Sequence, residues 1–402
     1  MLPLGGGGIH ALCDDALAEI LVRLPSKSVL RCRSVCRSWR RITTDRSFLA
    51  GHAARRPVEM ITLSPHVWGV NARSLSPDLG PTERAWSRLF YRKPQLAAGD
   101  GTTPVLARSF DVLYSLDGLL VLSQRPGLFV ICNPITRQWT GLPALAPQPC
   151  FNAVPCGFYL HSSSGAYRLL CHGLEEEEEE ARATGSTWNR KRHYYVLSAG
   201  GTQPALRRLG PAPRPTHAPY TTKYDAPVAH RGILHWLALH PEATSTGKML
   251  AFDTVSETFR LMSRPPERAG DTMRALLELD GELSVAAMRG VTSLDIWALQ
   301  DYEAEIWALR HSVEVPPATL FDGISNSVMP SMVLSVGGGA ILIGNFYCDV
   351  ARLYDLKHKR MQREIYLCPQ NPTLLMFKES LVPHAFFDST RSSEVAYIKF
   401  SD

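Results

Sequence analysis

The chain has 402 residues, of which 45% are hydrophobic and 20% charged, and its formal net charge is +5. That is ordinary globular composition, which excludes a disordered or low-complexity chain, and the charge is too mild to indicate nucleic acid by itself. No apolar run reaches membrane-spanning length. The nine cysteines (Cys13, Cys32, Cys36, Cys132, Cys150, Cys156, Cys171, Cys348 and Cys368) form no C-x-x-C pair and no zinc spacing with histidine. An odd count without a framework fits a reducing compartment. The N-terminus lacks the basic and apolar regions of a signal peptide, and no glycosylation sequon occurs without an intervening proline. Cytosol or nucleus is the expected location.

The first element to read is Leu12–Leu49. Asp14 and Asp15 stand where an N-cap and a first-turn acid belong. Leu17, Ile20, Leu21 and Leu24 follow at helical spacing. Pro25 ends that helix and can open a second, with Ser26 or Ser28 as its cap and Val29 and Leu30 on its apolar face. A third helix is expected from Ser34 to Ile42, with Val35, Trp39 and Ile42 on one face. Thr43, Thr44 and Asp45 offer a stop and a fresh cap before Phe48 and Leu49. From Arg23 to Arg56 there are nine arginines and one lysine against Asp45 alone, which suits an acidic partner or a phosphate backbone. A segment this small buries too little surface to be stable alone, so some of its apolar residues are expected to meet a partner.

The pattern resembles the F-box of plant F-box proteins. Matching residues are Asp14–Asp15, Glu19-Ile20-Leu21, Arg23-Leu24-Pro25, Lys27-Ser28-Val29-Leu30-Arg31, Val35-Cys36-Arg37-Ser38-Trp39 and Phe48. One departure is Cys13, where the family has proline after leucine; this loses a fixed φ at the helix start. The resemblance implies docking onto the Skp-type adaptor of a cullin-based ubiquitin ligase. Leu12, Leu24, Pro25, Val29, Val35, Cys36 and Trp39 are the expected adaptor contacts. Leu17, Ile20, Leu21 and Leu30 are expected to form mainly the module's own core.

After a basic joint at residues 51–57, apolar runs shorten to strand length and turns become frequent, which reads as all-β. A unit recurs. Asp117-Gly118 leads into Leu119–Leu122, then Phe129–Cys132, then Asn133-Pro134 and Trp139. Gly232 leads into Ile233–Leu237, then Met249–Asp253 and Thr258–Leu261. Asp280-Gly281 leads into Leu283–Ala286, then Leu294–Trp297 and Ile306-Trp307. Gly337–Gly339 leads into Ala340–Ile343, then Arg352–Asp355 and Glu364–Leu367. Weaker copies lie at Tyr167–Leu209 and Val58–Arg92. One such sheet cannot bury both its faces, whereas sheets stacked around an axis can, so a β-propeller of about six blades is expected, with seven or eight open. Val395–Phe400 alternates like an edge strand and is expected to complete a blade begun early in the domain. Asp117–Leu120, Asn133–Thr136, Gly232–Leu237, Phe252-Asp253, Leu279–Leu283 and Asp295–Trp297 resemble the F-box-associated, kelch-like domain.

The expected organisation is thus α+β and multidomain: a three-helix F-box over residues 10–50 and a mainly-β propeller over 57–402. Several features invite chemical readings. Glu175–Glu180 reads as a solvated loop, or else a dock for a basic tail. Trp188–His193 reads as that loop's return, or else a basic patch. The acids between Asp301 and Glu305 fall in a hairpin turn, and His235 reads as a buried, hydrogen-bonded core histidine. No phosphate loop and no G-x-S-x-G motif occurs. No catalytic, metal or cofactor residue is expected, and no substrate contact can be named. The first functional reading is a non-catalytic substrate receptor of an SCF-type ubiquitin ligase. Its rivals are a nucleic-acid binder using Arg37, Arg40 and Arg41, and a propeller enzyme.

Overall fold

A computed structural model of the chain describes residues 12–64, 69–75, 83–86, 111–125, 128–142, 154–174, 192–199, 206–209, 226–237, 248–266, 271–290, 292–315, 332–344, 350–366 and 372–388. Four helices come first. Helix α1 (Asp14–Leu21) is entered through Cys13 at φ −67°, the value a proline would impose. Cys13, not Asp14, is therefore the N-cap residue, and both aspartates fill the first turn. Helix α2 (Ser26–Cys32) takes Pro25 as its N-cap residue rather than Ser26 or Ser28. Beyond Cys32 the chain tightens: Ser34 N–H donates to Arg31 O and Val35 N–H to Cys32 O. These short-range bonds end α2 in a turn, so α3 runs over Arg37–Thr44 instead of starting at Ser34. Cys36 caps it, its Sγ accepting from Trp39 N–H at 3.5 Å.

The basic joint expected after Gly51 is a fourth helix, α4 (Arg46–Arg55). Asp45 starts it by accepting from the Ser47 and Phe48 amides at 2.8 and 3.4 Å. Phe48, Leu49 and His52 face inward from it. His52 Nε2–H donates to the Leu24 carbonyl at 3.0 Å, and burial holds its imidazole below the ordinary histidine pKa. The module's core joins Leu17, Leu21, Val22, Val29, Ile42, Phe48 and Leu49.

Among the described residues, twenty-four strands then form six four-stranded antiparallel sheets. Sheet I holds β1 (Val58–Ser64), β2 (Gly69–Ser74) and β3 (Glu83–Trp86). Sheet II holds β4 (Asp111–Leu116), β5 (Leu119–Arg125), β6 (Leu128–Asn133) and β7 (Gln138–Gly141). Sheet III holds β8 (Val154–His161), β9 (Ala166–Leu174), β10 (Arg192–Ser198) and β11 (Leu206–Leu209). Sheet IV holds β12 (Val228–His230), β13 (Ile233–Trp236), β14 (Lys248–Asp253) and β15 (Thr258–Ser263). Sheet V holds β16 (Asp271–Leu279), β17 (Glu282–Arg289), β18 (Ser293–Asp301) and β19 (Ile306–Glu314). Sheet VI holds β20 (Met332–Gly337), β21 (Ala340–Gly344), β22 (Val350–Asp355) and β23 (Arg360–Tyr366). The fourth strand of sheet I comes from the other end of the chain: β24 (Pro372–Lys378) pairs with β1. The expectation that Val395–Phe400 complete a blade concerns residues outside those described. Strand β24 already fills the inner place beside β1.

Two turns repeat at one end of the sheets. In the first, Asp117-Gly118, Arg231-Gly232 and Asp280-Gly281 have positive φ at both positions, the geometry of tight hairpins whose twist matches that of the strands. In the second, a carboxylate or amide at the end of a strand folds back on the turn. Asn133, Asp253 and Asp301 each accept from the two amides that follow at i+2 and i+3. Asp355 accepts from His358 N–H in the same way. The residue that closes each of these turns, Arg137, Glu257, Glu305 or Lys359, is left-handed.

Sheets meet face to face around a ring. Ile61 and Phe377 pack on Leu120, Val130 and Trp139 between sheets I and II. Leu119 and Ile131 meet Phe158, Leu169 and Cys171 between II and III. Leu170 and Tyr194 meet Trp236 and Phe252 between III and IV. Met249 and Met262 meet Leu283 and Leu299 between IV and V. Met288 and Ile296 meet Val333 and Ile341 between V and VI. Leu342 and Leu353 return to Met60, between VI and I. Both faces of a middle strand are covered, so β6 and β21 are buried throughout and read as continuous apolar runs rather than alternating ones.

One buried histidine crosses a sheet contact. His235 Nδ1–H donates to Val228 O at 3.2 Å, and Nε2 accepts the Tyr302 hydroxyl at 2.8 Å. The neutral ring satisfies both partners. Burial lowers its pKa to about 4.

Two predictions follow from these packing details. A Cβ on Gly118, at φ +80°, would lie 2.4 Å from Ser380 Cβ, whereas one on Gly281, at φ +85°, meets nothing within 4 Å. Gly281→Ala should cost about 1–2 kcal/mol for the left-handed backbone alone, and Gly118→Ala about 1–3 kcal/mol more for the clash, read as midpoint shifts in chemical denaturation. For His235 the folded pKa is depressed, so its contribution is complete above the unfolded pKa near 6.5 and is lost as pH falls toward about 4. Comparing wild type with His235→Gln across that window should show the extra slope in wild type only; equal slopes would count against a neutral buried imidazole.

Candidate functional site

The helical module has one side turned to the sheets and another turned away. On the sheet side, Leu381 joins the core of the module, with Ile135 packed beside it. The Ser26 hydroxyl donates to Glu379 Oε2 at 2.5 Å, and Lys378 Nζ donates to Ala54 O at 3.2 Å. Asp14 ties α1 to α3, accepting from Ser38 Oγ at 3.2 Å and pairing with Arg41. The beginnings of these two helices, preceded by Leu12 and by Val35, are therefore fastened together.

Large apolar side chains remain on the outer side. Leu12 is 40% exposed, Ile20 44% and Val35 58%. Pro25 and Cys36 are exposed, while Leu24 and Trp39 are half-buried. These positions include six of the seven expected adaptor contacts. Val29 is the correction: it is fully buried in the helical core and can only support the surface from behind. Ile20 is the converse, a residue expected in the core that faces out, because α1 buries Leu17 and Leu21 on its other side. Leu30 is half-buried against the same core.

The rim is cationic. Lys27, Arg31, Arg37 and Arg46 are exposed. Arg23 is paired with Glu19 at 3.5 Å across one helical turn. Arg40 donates through Nε to Arg33 O at 3.0 Å, which ties α3 back to the end of α2.

The other chemical candidates resolve into structure. Asp301 shapes its turn, and Glu305 accepts from Ser263 N–H at 2.6 Å and pairs with Arg260 at 3.4 Å. The Glu305 carboxylate thereby holds sheets IV and V together. Glu257 does the same between III and IV, accepting from Tyr159 Oη at 2.6 Å and Arg168 at 2.5 Å, and pairing with Arg207. The Cys132, Cys156 and Cys171 thiols are buried, and desolvation raises their pKa, the opposite of what a nucleophile needs. Among the described residues, no group of three or more His, Cys, Asp or Glu could hold a metal ion. No described helix is long and apolar enough to cross a membrane. Glu175–Glu180 and Trp188–Lys191 lie outside the described residues.

Comparison with known proteins agrees with this division. Residues 9–50 match the F-box domain, and residues 99–388 match the F-box associated beta propeller domain. An F-box protein of Arabidopsis thaliana is 25% identical over 75% of this chain and 79% of its own length. A second from the same plant is 26% identical over 77% of this chain and 74% of its own. Arabidopsis SKP1-interacting partner 15 is 28% identical over 34% of this chain and 38% of its own. A family model covering most of the chain, with its F-box in front of it, places the protein: it belongs to the plant-type F-box proteins that carry an F-box associated beta propeller domain.

Proposed function

We propose that the chain is the substrate-recognition subunit of an SCF-type ubiquitin ligase. Its helices bind a Skp-family adaptor, and through it a cullin, while the propeller holds a protein substrate for ubiquitination and degradation. The observation that carries this reading is the outward apolar set Leu12, Ile20, Pro25 and Val35 on a module whose opposite side is already occupied by its own chain. Apolar anchors of this kind supply most of the energy at a protein interface. The name of SKP1-interacting partner 15 points the same way. The chain makes and breaks no bond in this scheme. It works by proximity, holding substrate at high effective concentration near the charged enzyme. The cytosol or the nucleus would be its place of work.

The topology suggests where the substrate sits. The helices and Ser380 lie against the tight-turn end of sheet II, at Gly118, Asn133 and Ile135. The strand ends to which the longer connections attach are at the opposite end. Recognition residues concentrate on connections held by a rigid scaffold, so substrate is expected at that far end, away from the adaptor.

The test uses a purified Skp-type adaptor and the full-length chain in calorimetry. Ile20→Asp with Val35→Asp should weaken binding at least about tenfold, since each places a charge in an apolar contact. Val29→Ala should lower the melting temperature and change affinity less. The cationic rim adds a second readout: raising salt from low to high should slow association more than it speeds dissociation. Unchanged affinity for the double variant would refute the interface.

A further inference from the structure

We infer that closure of the propeller ring and assembly of the adaptor-binding helices are one coupled event, so that a chain with an open ring presents no competent F-box. The inference rests on the adaptor reading above and adds a condition to it. Strand β24 closes the ring by pairing with β1 from Val58–Lys378 to Ile61–Leu375. Its Phe377 is 1% exposed, in the core between sheets I and II. The chain then runs straight into the segment Glu379–Asp388, which passes beneath sheet II.

That segment is fastened on both sides. Asn133 Nδ2 donates to Ser380 O at 3.1 Å, and the backbone of Ser380 lies so close to Gly118 that no Cβ fits between them. Farther on, Phe386 packs among Phe158, Tyr167 and Leu169 between sheets II and III. On the helical side, Glu379 takes the hydroxyl of Ser26, and both groups are buried. Leu381 is 1% exposed and, among the described residues, is the buried member of the helical core that comes from outside the N-terminal module.

Four helices of this size bury little surface of their own and are marginally stable, so contacts from outside the module weigh heavily. Withdrawing Leu381 opens a cavity beside Leu17, Leu21 and Val29. Withdrawing Glu379 leaves the Ser26 hydroxyl buried without its acceptor. Both residues follow directly on the strand that closes the ring. If β24 is not seated, neither can be. Unseated helices lose the spacing between α1 and α3 that sets Leu12 and Val35 on one side. The consequence is a check built into the fold: only a receptor with a closed propeller is offered to the ligase.

The experiment measures adaptor affinity and hydrogen exchange on full-length variants. Phe377→Asp loosens β24 without altering a residue of the helical core; Leu381→Asp removes the core residue itself. Both should lower affinity at least about tenfold and speed exchange in α1 and α3. Glu379→Leu, which removes the acceptor, should lower affinity about threefold or more, and Val382→Ala, at an exposed position on the same segment, should leave it unchanged. The coupling is overturned if Phe377→Asp speeds exchange in β1 while adaptor affinity and α1 exchange stay at wild-type values. Should Phe377→Asp fail to fold, unchanged affinity and α1 exchange in both Glu379→Leu and Leu381→Asp overturn it equally. If the wild-type chain binds no Skp-type adaptor, the functional reading fails instead, and exchange in α1 alone decides the coupling.

Discussion

A four-stranded sheet with apolar residues on both faces has no stable existence in water, and the propeller follows from that constraint. Leu119 and Val121 point into one neighbour while Leu120 and Leu122 point into the other. Each sheet therefore needs a sheet on either side, and only a closed ring gives every one of them two. The ring must then be locked at a seam, since strands β1–β3 and sheet VI come from opposite ends of the strand sequence. Here the C-terminal strand β24 crosses the seam to pair with β1. The pairing converts a chain of stacked units into a cycle, and removing it would expose two apolar faces at once.

The same seam supports the helices. Lys378, Glu379 and Leu381 all touch the N-terminal module, so the two ends of the chain meet at one place. This arrangement leaves the module two surfaces with different duties. The inner one is filled by Leu381 and Ile135. The outer one keeps Leu12, Ile20 and Val35 in water, a costly exposure for a monomer and a sensible one for a subunit. Fixing the helices against a rigid ring also fixes the distance between whatever binds at each end, which is what transfer by proximity requires.

Much of this was legible in the sequence, and what was not has physical causes. The middle strands of each sheet were plain because both faces are buried, as in Leu119–Leu122 and Ala340–Ile343. The turns were plain because Asp-Gly and Asn/Asp signatures are local chemistry. The inner strands were not. Strand β12 has only three residues, and β4 is part-exposed along most of its length, so neither shows a periodic apolar signal. Helix α4 was missed because its residues have no clear amphipathic pattern, although Asp45 was recognised as a cap. Val29 was misplaced because sequence spacing gives a helix face but not which neighbour covers it, and Leu381 is far away in the chain. The Ser26–Glu379 contact spans a sequence separation that no local pattern can reveal.

The account stands most directly on where the adaptor touches. Hydrogen exchange of the full-length chain, free and saturated with a Skp-type adaptor, maps that footprint. The account predicts slower exchange at residues 12–20 and 35–39, with the segment 379–388 and the six sheets unchanged in direct protection. Slowing confined to the sheets, with the outer side of α1 and α3 exchanging as freely as before, would contradict it.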